Sequence, residues 1–120
     1  MSAHNDALRN GLSKSSEITI TVTGRKSGRK ISIPVWFVMK DNKLYLLPVQ
    51  GSNTQWYKNV LNHPSIRIDA QGAGAEFQAV LITDATEVSS VVEKFRAKYG
   101  KSDVRKYYSK FDVAIIVKIQ

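Results

Sequence analysis

Two strand-forming runs, Ile18-Thr19-Ile20-Thr21-Val22-Thr23 and Ile31-Ser32-Ile33-Pro34-Val35-Trp36-Phe37, are joined by the seven residues Gly24-Arg25-Lys26-Ser27-Gly28-Arg29-Lys30. Alternation on both sides of so short a connection predicts an antiparallel hairpin and commits the chain to a sheet. Glycine lets a backbone turn where a Cβ would clash and leaves N–H groups open to a ligand. The bend also carries four cations and a hydroxyl, the side chains that hold phosphate or carboxylate oxygens. Two readings follow: an anion clamp, or a polar turn protecting a sheet. The clustering of charge at one strand junction, with Ser27 between the glycines, favours the clamp.

At 120 residues the chain is the size of one domain with a real core. It has no cysteine, which excludes disulfides, thiolate chemistry and cysteine-held metals. His4 and His63 stand far apart with no carboxylate spaced to join them, so no metal site is expected. No apolar run reaches the roughly 20 residues of a membrane span, and residues 1–15 lack a secretory signal. A cytoplasmic location is expected. The net charge of +8 concentrates in the bend and in Lys94–Lys110. Such a field attracts a polyanion: nucleic acid, an acidic membrane surface or a multiply charged cofactor.

Residues 1–15 read as a short helix or loose arm, and 16–120 as the domain proper. Lys30–Lys40 is largely apolar on both faces and reads as one interior strand with one cofactor-facing side. Asp41-Asn42 is a turn signal, with Lys43–Val49 pairing back as a hairpin that Pro48 ends. Thr54 is placed as the N-cap of a helix carrying Trp56, Tyr57, Val60 and Leu61. Two adjacent large aromatics on one helix suggest that one of them faces a ligand or partner. Ser65–Ala70 and Ala75–Thr83 are strands around a Gln71–Gly74 turn. Val88, Val91, Val92, Phe95 and Tyr99 form one stripe of a helix closed by Gly100. A second short helix follows to Tyr108, then a strand over Phe111–Ile119. About six mostly antiparallel strands with two or three helices point to a mainly β, α+β domain built on a closed or partly closed barrel.

The string Thr23-Gly24-Arg25-Lys26-Ser27-Gly28, the strand with Pro34-Val35, the Gln50-Gly51-Ser52 loop and the helix Trp56-Tyr57-Lys58-Asn59-Val60 together resemble the deazaflavin-dependent nitroreductase family. The blocks keep the family's order from Ile18 to Gln120. The resemblance implies an FMN-binding split-barrel-like fold and coenzyme F420, a deazaflavin with a phosphodiester and a polyglutamate tail. It implies that Arg25, Lys26, Ser27 and Arg29 grip the phosphate, with Lys14 and Lys30 near the tail. Pro34, Val35, Val49, Gln50, Gly51, Ser52, Trp56, Tyr57 and Asn59 are then expected around the tricyclic ring. Where the family has a lysine-bearing loop and a proline before the tryptophan, this chain has Val49-Gln50-Gly51-Ser52-Asn53-Thr54-Gln55, with Gln50 able to bond a ring carbonyl.

The activity implied is hydride transfer from reduced F420 to an unsaturated, quinone-like or nitro substrate, with the protein supplying position and a proton. Tyr107 and Tyr108, just before the last strand, are the expected catalytic donors, against a packing role for either. FMN or a tetrapyrrole-like ligand in the same cleft is the alternative. A basic barrel binding single-stranded nucleic acid is a third reading, weakened because most aromatics lie on apolar stripes rather than beside the cations. The expected partner is a small-molecule substrate and not nucleic acid, with peripheral contact to an acidic membrane and a homodimer left open.

Overall fold

The computed structural model describes residues 3–119. Helix α1 (Ala3–Ser13) precedes strands β1 (Ile18–Thr23), β2 (Lys30–Val35), β3 (Val38–Lys40) and β4 (Lys43–Leu46). A 3-10 turn (Gly51–Asn53) and helix α2 (Gln55–Asn62) lead to β5 (Ser65–Ala70) and β6 (Ala73–Ile82). Helices α3 (Ala85–Tyr99) and α4 (Lys101–Tyr107) then precede β7 (Ala114–Lys118).

The strands form one antiparallel, curled sheet in the order β2-β1-β5-β6-β7-β4-β3. The ten-residue β6 makes the curl, because its first half pairs with β5 and its last four residues with β7. The result is a split-barrel-like α+β fold, as the strand pattern predicted, with seven strands and four helices among the described residues where about six and two or three were expected.

The extra strand comes from a break in Lys30–Lys40. That run is not one interior strand. It divides into β2 and β3, which lie at opposite edges of the sheet. The turnover is at Trp36-Phe37, where Phe37 is 1% exposed and its backbone is held by side chains of α3. As an edge strand β2 is largely exposed, and its apolar residues serve a surface cleft rather than the barrel interior.

The core lies in two clusters. The larger is inside the curl under α1 and α2, with Leu8, Ile20, Ile68, Val117 and Ile119 all at 0–2% exposure. Of the two readings of the N-terminal segment, the short helix is the one seen: α1 contributes Leu8 and Leu12 to this cluster. The smaller joins the α3 stripe Val88, Val91, Val92 and Phe95 to Val104, Tyr108 and Ala114. Asp84 caps α3 by accepting from the Glu87 N–H at 3.0 Å. No helix among the described residues is long and apolar enough to cross a membrane.

Candidate cofactor cleft

The β1–β2 bend is ordered by its own backbone. The Gly24 N–H donates to Arg29 O at 2.8 Å and the Gly28 N–H to Gly24 O at 2.9 Å, with Gly28 at φ +72°. Ser27 Oγ accepts from the Arg29 N–H at 3.2 Å. Lys26, Ser27, Arg29 and Lys30 stay exposed.

Arg25 behaves differently from its neighbours. Its Nη1 donates to Asn59 Oδ1 at 2.7 Å and its Nη2 to Gln55 Oε1 at 2.7 Å, while its backbone N–H also reaches Asn59 Oδ1 at 3.1 Å. Asn59 is 5% exposed, so this is a buried tie between the bend and α2. Between them lies a recess of about 310 Å³ lined by Arg25, Lys26, Ser27, Gln55 and Asn59. Replacing Arg25 by alanine keeps the backbone N–H on Asn59 Oδ1 but removes the guanidinium from that oxygen and from Gln55 Oε1, a loss of about 1–3 kcal/mol. Thermal unfolding should show it for Arg25→Ala and not for the exposed Lys26→Ala.

Farther along β2 lies a second, larger hollow of about 450 Å³. Its lining includes Ile33, Pro34, Val35 and Trp36 from β2 and its end, together with Leu47, Val49 and Trp56. Tyr107, Tyr108 and Glu17 complete the lining. Trp56 and Tyr57 are both buried, at 5% and 2% exposure, although two adjacent aromatics on one helix were expected to divide between the core and a ligand or partner. Trp56 lines the cleft from within the core. Tyr57 does not line it, and burial, with Asp112 second, raises its pKa.

The Val49–Ser52 loop is clamped to the segment before β7. Ser109 N–H donates to Val49 O at 2.8 Å. Asp112 accepts from the Ser52 N–H at 2.9 Å and from Ser52 Oγ at 2.6 Å, with Lys110 Nζ at 3.6 Å. Burial pushes the Asp112 carboxyl up, but the two Ser52 bonds and the Lys110 charge outweigh it and hold the pKa below its ordinary value. Gly51 and Ser52 are therefore structural here, while Val49 and Gln50 are exposed. Thr54 stands at the N-cap position but does not cap α2; its Oγ1 accepts from the Gln50 N–H at 2.8 Å and orders this loop instead.

The two tyrosines differ. Tyr107 is 54% exposed, whereas Tyr108 is 6% exposed and packs on Phe95 with ring centroids 5.9 Å apart. Burial, with Tyr99 second, raises the Tyr108 pKa well above the usual tyrosine value. Lys14 is not near the bend. It lies beside Gln71 and Gly72 at the start of β1, and the bend follows the end of that strand, about 17 Å away at roughly 3.4 Å per residue. Sequence reasoning overlooked Gln55, Glu17, Ile33 and Leu47. The i, i+4 spacing of Gln55 and Asn59, which puts both amides on one helix face, was the available signal for Gln55.

Residues 10–118 match the family described as "Uncharacterized protein conserved in bacteria (DUF2255)". The chain belongs to this family. No curated protein sequence matches the DUF2255 chain. Among solved structures, an F420-H2 dependent reductase (FDR-A) superposes with a TM-score of 0.67 at 20% identity, covering 85% of this chain and 93% of that one. HutZ, the haem storage protein from Vibrio cholerae, gives 0.70 at 11% identity, with 96% and 89% covered. A haem binding protein from Mycobacterium smegmatis gives 0.70 at 11% identity, covering all of this chain and 52% of that one. At such identities the likeness is one of fold, and the fold of the DUF2255 chain is theirs.

Proposed function

We propose that the protein is a cytoplasmic oxidoreductase that binds reduced coenzyme F420 and reduces a small unsaturated, quinone-like or nitro compound. One observation carries this reading: an apolar, aromatic-walled cleft and a cationic recess share β2 and the start of α2. From Ile31 in the recess to Val35 in the cleft is about 13 Å at roughly 3.3 Å per residue. A flat ring joined through a short linker to a phosphate, with an acidic tail beyond, fits that arrangement. When bound, F420 supplies the hydride. Lys26, Ser27 and Arg29 would hold the phosphate, with Arg25 keeping the bend against α2. Pro34, Val35, Val49 and Trp56 would wall the ring and exclude water, with Gln50 at its edge. Tyr107 Oη would give the proton to the substrate as the hydride arrives.

The test is an equilibrium titration. F420 should quench tryptophan emission, and Lys26→Ala with Arg29→Ala should weaken binding by about 1.5–3 kcal/mol for each charge-assisted contact removed. FMN should bind more weakly, because the acidic tail alone uses Lys30 and the cations beyond the phosphate. The contrast should shrink in high salt. FMN binding as tightly at low salt defeats the F420 reading. The fold shared with haem-binding proteins supports the second reading, a flavin or tetrapyrrole ligand. Against haem, the cleft lining offers tyrosine hydroxyls but no histidine, cysteine or methionine as an axial ligand.

A further inference from the structure

Trp36 is the half-buried ring of the cleft, and its surroundings differ from those of Trp56. Trp56 belongs to the larger core cluster, whereas Trp36 packs on the smaller one. Tyr99 lies flat on one face of the Trp36 indole, with centroids 4.2 Å apart and planes 7° from parallel. Tyr107 meets it edge-on at 5.5 Å and 81°, and Tyr108 lies tilted at 6.0 Å.

Tyr99 is itself fixed at its far end. Its Oη accepts from the Phe37 N–H at 3.1 Å, and lies 2.7 Å from Ser16 O and 2.9 Å from Phe37 O, to either of which it donates. One hydroxyl thus joins three segments: the end of α3, the approach to β1 and the β2–β3 crossover. Lys98 Nζ also donates to Phe37 O at 2.7 Å and lies 3.7 Å from the Phe37 ring centre, closing the crossover from outside. The protein's own contacts therefore hold the indole in place. A plate ordered in advance does not lose rotamer freedom on binding, so stacking there is favourable from the outset.

We propose that Trp36 is the stacking plate for the electron-acceptor substrate, and that Tyr99 is the positioning residue that presents it. The acceptor lies as a third layer on the Tyr99–Trp36 stack, beside the Tyr107 hydroxyl. The substrate class is therefore a flat aromatic or quinoid ring. A puckered, saturated molecule of the same size loses the face-to-face contact that offset π-systems gain. This inference rests on the reductase reading for the word acceptor, but the stacking subsite stands on its own geometry.

The test uses a Trp56→Phe background, which leaves Trp36 the only tryptophan of the two in the chain. Nitrobenzene and nitrocyclohexane, matched in size and differing in flatness, are titrated without cofactor. Nitrobenzene should bind at least fivefold more tightly. Trp36→Leu, assayed by competition, should erase that preference, and Trp36→Phe should restore most of it. Tyr99→Leu should weaken nitrobenzene at least fivefold and abolish the near-ultraviolet circular dichroism of the stacked pair. Tyr99→Phe, which keeps the ring but not the hydroxyl, should fall between. F420 binding, read from the coenzyme's own fluorescence, should be unchanged by Tyr99→Leu, which also shows that the variant is folded.

Equal binding of the two probes, or a preference that survives Trp36→Leu, overturns the stacking plate. Loss of F420 affinity in step with nitrobenzene in Tyr99→Leu overturns the acceptor assignment, because the cofactor ring then occupies the plate. A wild-type protein that selects nitrobenzene but binds no F420 retains the plate and defeats the cofactor reading alone.

Discussion

Phe95→Ala is expected to be the most destabilising single truncation described here, at about 3–5 kcal/mol. Phe95 has no exposed surface and stands at the centre of the smaller core cluster. Its ring lies 5.9 Å from those of both Tyr99 and Tyr108, the two aromatics that support Trp36 from behind. Removing it opens a cavity that neighbouring helices close only partly. For a domain of this size the midpoint of thermal unfolding should fall by more than about 10 °C. The cleft should loosen with it, because the Tyr99–Trp36 stack loses its backing. Phe95→Leu should retain most of both properties. A fall of only a few degrees in Phe95→Ala would mean that α3 is not held by this cluster.

The second large effect is expected at Gly51. Its φ is +55°, and a Cβ built there would lie 2.1 Å from Asp112 Oδ1 and 3.0 Å from Lys110 Cγ. Gly51→Ala therefore combines backbone strain of about 1 kcal/mol or more with a clash that must break the Asp112–Ser52 pair. Together these should cost about 2–4 kcal/mol, measured by denaturant unfolding. Adding Asp112→Ala should recover part of the loss rather than deepen it, since the clashing carboxylate is gone. A strictly additive double mutant would contradict this. The same carboxylate gives a pH signature. Its pKa is lower folded than unfolded, so its contribution is complete above the ordinary aspartate value of 3.8 and is lost as pH falls through the folded value. Asp112→Asn should remove that component from the acid limb of the stability curve while leaving the alkaline limb unchanged.

What was legible in the chain was what neighbouring residues write between them. Alternation in Ile18–Thr23 and the glycines of the bend specified the β1–β2 hairpin, whose register runs from Ile18 opposite Val35 to Thr23 opposite Lys30. The 3.6-residue stripe Val88–Val91–Val92–Phe95 specified the buried face of α3, and Gly100, at φ +96°, its end. Asp41, Asn42 and Gly72 adopt positive φ as their types favour, in the two turns read from the sequence. Clustered cations marked the bend as a charged surface turn, where Lys26, Arg29 and Lys30 are indeed exposed, and the resemblance of the Thr23–Gly28 and Trp56–Val60 blocks marked the split barrel.

The rest depended on which elements meet. That Lys30–Lys40 turns one apolar side to a cleft was readable, but its division at Trp36-Phe37 was not, because the α3 side chains that hold the Phe37 backbone stand far along the chain. Arg25 and Asn59 read as ligand-facing until α2 packs beside the bend and their hydrogen bonds satisfy each other. Thr54 reads as a helix cap until the Gln50 N–H arrives first. Trp36 and Tyr99 are 63 positions apart in the chain and become one stacked unit only when α3 crosses the β2–β3 turnover. Local periodicity, turn chemistry and charge density were therefore determined by the sequence itself. Partner choice was decided by the tertiary structure, because a buried donor or ring takes whichever complementary group the packing brings within reach.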